Sequence, residues 1–124
     1  MQQLDRNYIL LGLCWVIVGM ILGIWLGITN QMNYANSHAH VGLLGFVGSV
    51  LFGLLHWAYP ALSRSRLATA QFFIYQIGAV ILVVGKFLQD GGKETVLLPI
   101  GALVTLLGAL LMLAMFTKHG YKTA

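Results

Sequence analysis

The sequence predicts an all-α membrane protein: four transmembrane helices in an antiparallel up-and-down bundle, forming a single domain over residues 1–124. Three observations carry that expectation. Of the 124 residues, 59% are hydrophobic and only 8% charged, whereas a water-soluble domain carries about 25% charged residues. The mean hydropathy is +0.85, which also excludes a disordered chain, since disorder goes with low hydrophobicity and high charge. Finally, the apolar residues gather into runs of the roughly 20 residues needed to cross about 30 Å of hydrocarbon.

The first run, about Tyr8–Ile28, is too long for a secretory signal and lacks its basic start and small-residue cleavage site. It is expected to be a retained span. Gly19, Gly23 and Gly27 recur every fourth position in it, a spacing that lets another helix approach closely. A polar, uncharged stretch, Thr29–Ser37, leads to the second run, about His38–Tyr59. After Pro60–Arg66 comes the third, about Leu67–Leu88. There Gln71 and Gln76 are expected to hydrogen-bond across helices, and Lys86 to snorkel toward the near surface. Gln89–Thr95 connects to the fourth, about Val96–Phe116. The pairs Gly78/Gly85 and Gly101/Gly108 each keep to one helix face, again a packing signal. Each connection is short, which makes consecutive helices antiparallel neighbours. Trp15, Trp25 and Trp57, with Tyr8, Tyr34, Tyr59 and Tyr121, are expected to form interfacial belts.

Orientation follows from the basic residues near the span ends. Arg64 and Arg66 lie in the second connection and Lys118 and Lys122 in the C-terminal tail, against none in Thr29–Ser37 and Lys93 alone in the third connection. Both termini are therefore expected in the cytoplasm, in an inner or plasma membrane. His38 and His40 then lie near the outer surface, His56 and His119 near the inner one. The net charge of +4 does not point to nucleic acid, because the basic residues are few and scattered rather than gathered in a patch. No carboxylate lies inside a predicted span, no Ser-His-Asp set is evident, and no phosphate-binding loop appears. Those absences argue against a hydrolase, a proton pump with an acidic relay and a nucleotide-driven machine. The lone Cys14 has no intramolecular disulfide partner.

The second run carries the chemistry. At about 100° per residue, His38, Gly42, Gly45, Ser49 and His56 fall on one stripe, with Gly53 at its edge. His40 points to the opposite, bulkier face with Val47, Leu51 and Leu54. An imidazole beside a glycine-lined groove suits a flat tetrapyrrole: the ring nitrogen serves as axial ligand to iron, and missing side chains leave room for the macrocycle. The same stripe also suits a helix-packing seam. Histidine is costly in hydrocarbon unless partnered, which makes it a functional candidate.

The stretch Ser37 to Pro60 resembles the second transmembrane helix of the heme-copper oxidase catalytic subunit, a family that includes nitric oxide reductases. That helix opens on a histidine ligating the low-spin heme, and tends to carry a glycine near the fifteenth following position and a proline near the twenty-second. Gly53 and Pro60 stand at those positions after His38, and Trp57 sits where an aromatic is common. The resemblance covers about 24 of 124 residues, and the His-Ala-His opening is similar to short, oxidase-like relatives. The large enzymes have about twelve spans, with the second heme and copper held by later helices that have no counterpart here. The resemblance therefore implies His38 as a heme b ligand and nothing about oxygen or nitric oxide reduction.

A sixth ligand is not evident within one chain. His40 lies two residues from His38 on the same helix, and His56 roughly 27 Å away along it. His38 or His40 of another subunit, Met32, Lys86 or an open position remain. A homo-oligomer that assembles the site between protomers is attractive on this ground. The cofactor-site candidates are thus His38, His40, Gly42 and Gly45, with His38 and His40 as iron ligands. His40 is alternatively a propionate partner, or a ligand to copper, for which two closely spaced histidines are suited only on an extended backbone. His56 is expected to be a hydrogen-bonded structural residue and His119 a helix-end or lipid-headgroup contact. A second heme between these two would need both. The functional expectation is electron transfer, heme handling or diatomic-gas sensing, with a quinol or cytochrome as redox partner. The alternative is a non-catalytic membrane subunit or small transporter whose histidines are structural.

Overall fold

A computed structural model describes residues 3–93 and 95–119; Tyr121 and Lys122, assigned above to a belt and to the tail, lie outside them. Four helices are long and apolar enough to span a membrane: α1 Leu4–Thr29, α2 Met32–Ala58, α3 Ala68–Asp90 and α4 Leu97–His119. The described residues form no strand. A helical bundle is what such a chain must build, because hydrocarbon offers no partner to a backbone amide left unpaired.

The helix ends follow local chemistry. Asn30, at φ 59°, adopts the left-handed conformation that stops α1. The Ser65 hydroxyl accepts the Leu67 amide at the entry to α3, and the Thr95 hydroxyl accepts the Leu97 amide at the entry to α4. Pro99 sits in the first turn of α4, where its missing N–H costs nothing. At the far end of the α3–α4 turn, Gly92 takes φ 90°, a conformation that favours glycine.

The largest boundary difference from the sequence expectation is at the second helix; α1 also begins earlier, at Leu4, and α4 ends later, at His119. The second helix starts at Met32, not His38, so both histidines lie inside it. Residues 32–37 contain neither glycine nor proline, and the buried Ser37 finds an acceptor in another helix. The Asp90 carboxylate, at the end of α3, takes the Ser37 backbone amide at 3.0 Å and its hydroxyl at 2.7 Å. A negative charge at a helix start suits the helix dipole.

α3 and α4 form a tight antiparallel hairpin. A methyl group on Gly78 would lie 2.6 Å from the Thr105 amide nitrogen, and one on Gly108 would lie 2.8 Å from the Tyr75 Cα. Gly85 and Gly101 approach Leu98 and Leu82 in the same register. The expected packing role of these glycines is what the structure shows. α1 and α2 pair through Gly12 on Val50, Gly19 on Val41 and Gly53 on Ile9. The two hairpins meet in a core where Tyr8, Leu62, Phe72, Tyr75, Met112 and Met115 cluster. Tyr8 is wholly buried there, not in an interfacial belt, because its hydroxyl is bonded to the buried Gln71 side chain.

Candidate functional site

α2 is not a uniform α-helix. Residues Val41–Val47 wind as a π-helix, between α-helical segments Ala35–His40 and Gly48–Ala58. Wider i→i+5 turns rotate everything before them relative to everything after, and such segments recur at functional sites. Here a partner from α3 takes up a carbonyl of that segment: the Tyr75 hydroxyl donates to the Leu44 carbonyl at 2.7 Å. Gly48 is required beside it, since a Cβ there would collide with the Tyr75 oxygen.

The rotation breaks the stripe expected from uniform 100° steps. Gly45, Ser49, Gly53 and His56 face the interior and are buried, while His38 and Gly42 turn to the side. Gly45 thus leaves the candidate cradle. Its missing side chain makes room for the Trp15 indole, whose Cε3 would lie 2.6 Å from an added Cβ. Trp15 is held there by donating to Gln76, whose amide nitrogen donates in turn to Ser49. Gln71 bridges likewise, from Tyr8 to the Gly108 carbonyl. Both glutamines therefore act across helices as expected.

His38 lies on a lateral groove of about 390 Å³ between α1 and α2, walled by Val16, Met20, Phe46 and Val47 and floored by Gly19 and Gly42. No residue of α3 or α4 contributes to it. An added Cβ on Gly42 would meet nothing within 4 Å, and one on Gly23 would lie 3.0 Å from the His38 Cε1. The imidazole therefore rests on the bare backbone of α1. Among the described residues it makes no hydrogen bond. His40 does not line the groove. Its Nδ1 lies 2.7 Å from the Asn36 carbonyl. Donation there leaves Nε2 as the lone-pair nitrogen, the arrangement found in metal-ligating histidines. The structure thus separates the two histidines, and places Gly42, but not Gly45, with His38.

Two residues considered for the opposite axial position are otherwise engaged or badly placed. Lys86 pairs with Asp90 at 3.2 Å and donates to Gln89 at 3.0 Å. Met32 begins the same helix as His38, roughly 9 Å before it along the axis. The described residues contain no cluster of three or more His, Cys, Asp or Glu able to hold a metal.

At the other end, His56 is 2% exposed. Its Nδ1 lies 2.8 Å from the Ser63 hydroxyl and its ring stacks on Tyr8 at 5.8 Å. That agrees with a hydrogen-bonded structural histidine, its Nε2 buried without a partner among the described residues. The Ser63 partner was not evident in the sequence, because it comes from a short 3₁₀ turn, Pro60–Arg64, that folds back under α2.

Fold and site together define a polytopic helical membrane protein with one accessible imidazole on a glycine-floored groove. No family model, no curated protein and no solved structure matches the chain.

Proposed function

We propose that the chain is a b-type heme protein of the cytoplasmic membrane, with both termini inside, that works in electron transfer, heme handling or gas sensing. The carrying observation is the His38 groove: an unpartnered imidazole, an apolar wall and a glycine, Gly42, with open space over it. Its volume lies within the range of small-molecule sites. The residues fit one axial ligand and one face of a macrocycle. His38 would be that ligand, with Gly42 admitting the ring edge. When bound, heme supplies one-electron chemistry or a coordination position for a diatomic ligand.

The groove is open on the side away from α3 and α4. A neighbouring copy in a homo-oligomer would close it and bring the second imidazole, for which His40 has its Nε2 lone pair already oriented. Closed symmetry supplies this without new sequence. A quinol or a cytochrome is the redox partner this reading requires.

The test is the absorption spectrum of the purified protein, with heme per chain. A Soret band is expected in the wild type, and His38→Ala should lower heme content by about tenfold or more, as losing a ligand exceeds the effect of losing its supporting partners. His40→Ala should retain heme but shift a six-coordinate low-spin spectrum to a five-coordinate one. A wild-type protein with no Soret band after heme supplementation would leave the histidines as structural residues of a membrane subunit or small transporter.

A further inference from the structure

At the end of the bundle opposite His38, four basic side chains converge. Arg64 and Arg66 come from the α2–α3 connection, and Lys118 and His119 from the last turn of α4. They line a cavity of about 690 Å³, larger than the His38 groove. Lysine and histidine in a final helical turn suit the negative end of that helix, but this does not account for two arginines brought over from another element. None of the described residues that line the cavity carries a carboxylate. Among the described residues, the single ion pair lies at the far end, between Lys86 and Asp90. Like charges gathered without a counterion repel, and an anion between them relieves that repulsion.

We infer that this cavity binds a phosphate-bearing anion, and that its source is the headgroup of an anionic phospholipid. Arginine forks match phosphate oxygens in paired hydrogen bonds, and Lys118 adds a third cation. The remaining lining favours a lipid over a soluble anion. Leu67, exposed at the entry to α3, and Ala114, exposed on α4, continue the cavity onto the apolar outer surface, where an acyl chain would lie. Basic pockets between membrane helices bind anionic headgroups by this combination. The inference is independent of the heme reading.

The experiment uses the whole protein in nanodiscs of mixed phosphatidylglycerol and phosphatidylcholine, released and weighed by native mass spectrometry. The wild type is expected to retain phosphatidylglycerol preferentially. Arg64→Gln combined with Lys118→Gln should reduce that preference by about tenfold or more, as each cation near an anionic headgroup contributes severalfold. Lys93→Gln, a cation in the α3–α4 turn, should leave it unchanged. Arg66→Gln alone carries the same comparison if the double variant does not accumulate. In a second arm the detergent-solubilised protein meets inorganic phosphate alone. Phosphate that displaces the lipid no better than chloride at equal ionic strength supports the lipid headgroup as ligand. Phosphate binding without any preference for phosphatidylglycerol overturns the lipid assignment. Equal retention of both lipids, or the same loss in Lys93→Gln, overturns the site.

Discussion

The Tyr75 hydroxyl is the residue on which the shape of α2 turns. It takes the Leu44 carbonyl within the π-helical segment, and a carbonyl without a partner in hydrocarbon is costly. Interhelical hydrogen bonds in membranes average about 0.6 kcal/mol and reach about 1.7 kcal/mol. Tyr75→Phe should therefore destabilise the fold by roughly that amount, read as a lowered midpoint in detergent unfolding. Its larger effect should be on geometry. If the wider turns relax toward α-helical winding, His38 rotates toward the Gly45 face and off its groove, so under the proposed function heme content or spectrum should change more than stability does. A Tyr75→Phe variant with an unaltered heme spectrum would show that the π-helical segment holds without this bond.

Between elements, glycines set how closely the helices approach. A methyl group at Gly78 or Gly108 would meet opposing backbone at less than 3 Å, and backbone has little freedom to move aside. Overpacking of this kind costs about 1–3 kcal/mol, more than one interhelical hydrogen bond. Gly101→Leu or Gly78→Leu should thus lower stability more than Tyr75→Phe does, measured in the same unfolding assay. Gly27→Leu should be close to neutral, because an added Cβ there meets nothing within 4 Å. Gly45→Leu belongs with the disruptive group. It displaces Trp15, and with it the Trp15–Gln76–Ser49 chain that ties α1, α2 and α3.

Across the whole molecule, the hairpins are joined by polar side chains at several levels, from Ser37 and Asp90 at one end through Gln76 to Tyr8 and Gln71 near the other. The outward surfaces are apolar, as lipid contact requires. The His38 groove lies on such a surface, so under the proposed function heme retention should depend on assembly. Light scattering of the heme-loaded protein should give an oligomer. Dilution to monomer should release heme or convert it to a five-coordinate spectrum. A monomer with an intact bis-histidine spectrum would contradict the shared site and require a second ligand within one chain.

The four spans, their antiparallel order and the packing glycines were legible in the sequence, because each depends on composition or short-range spacing. Hydropathy over about 20 residues reports burial in lipid directly, and glycines seven apart share a face on any regular helix. The cross-helix roles of Gln71 and Gln76 were legible for a similar reason: an amide in hydrocarbon must find a partner. Only the tertiary structure decided which side of α2 His38 occupies. Reading that face assumes constant winding from His38 to His56, and the π-helical segment, with a hydroxyl 31 residues away in sequence on one of its carbonyls, breaks the assumption. The same long-range dependence hid Asp90 as the cap of α2, Ser63 as the partner of His56, and the meeting of Arg64 with Lys118. In each case the residues are far apart along the chain, and local propensity carries no record of which distant group will satisfy them.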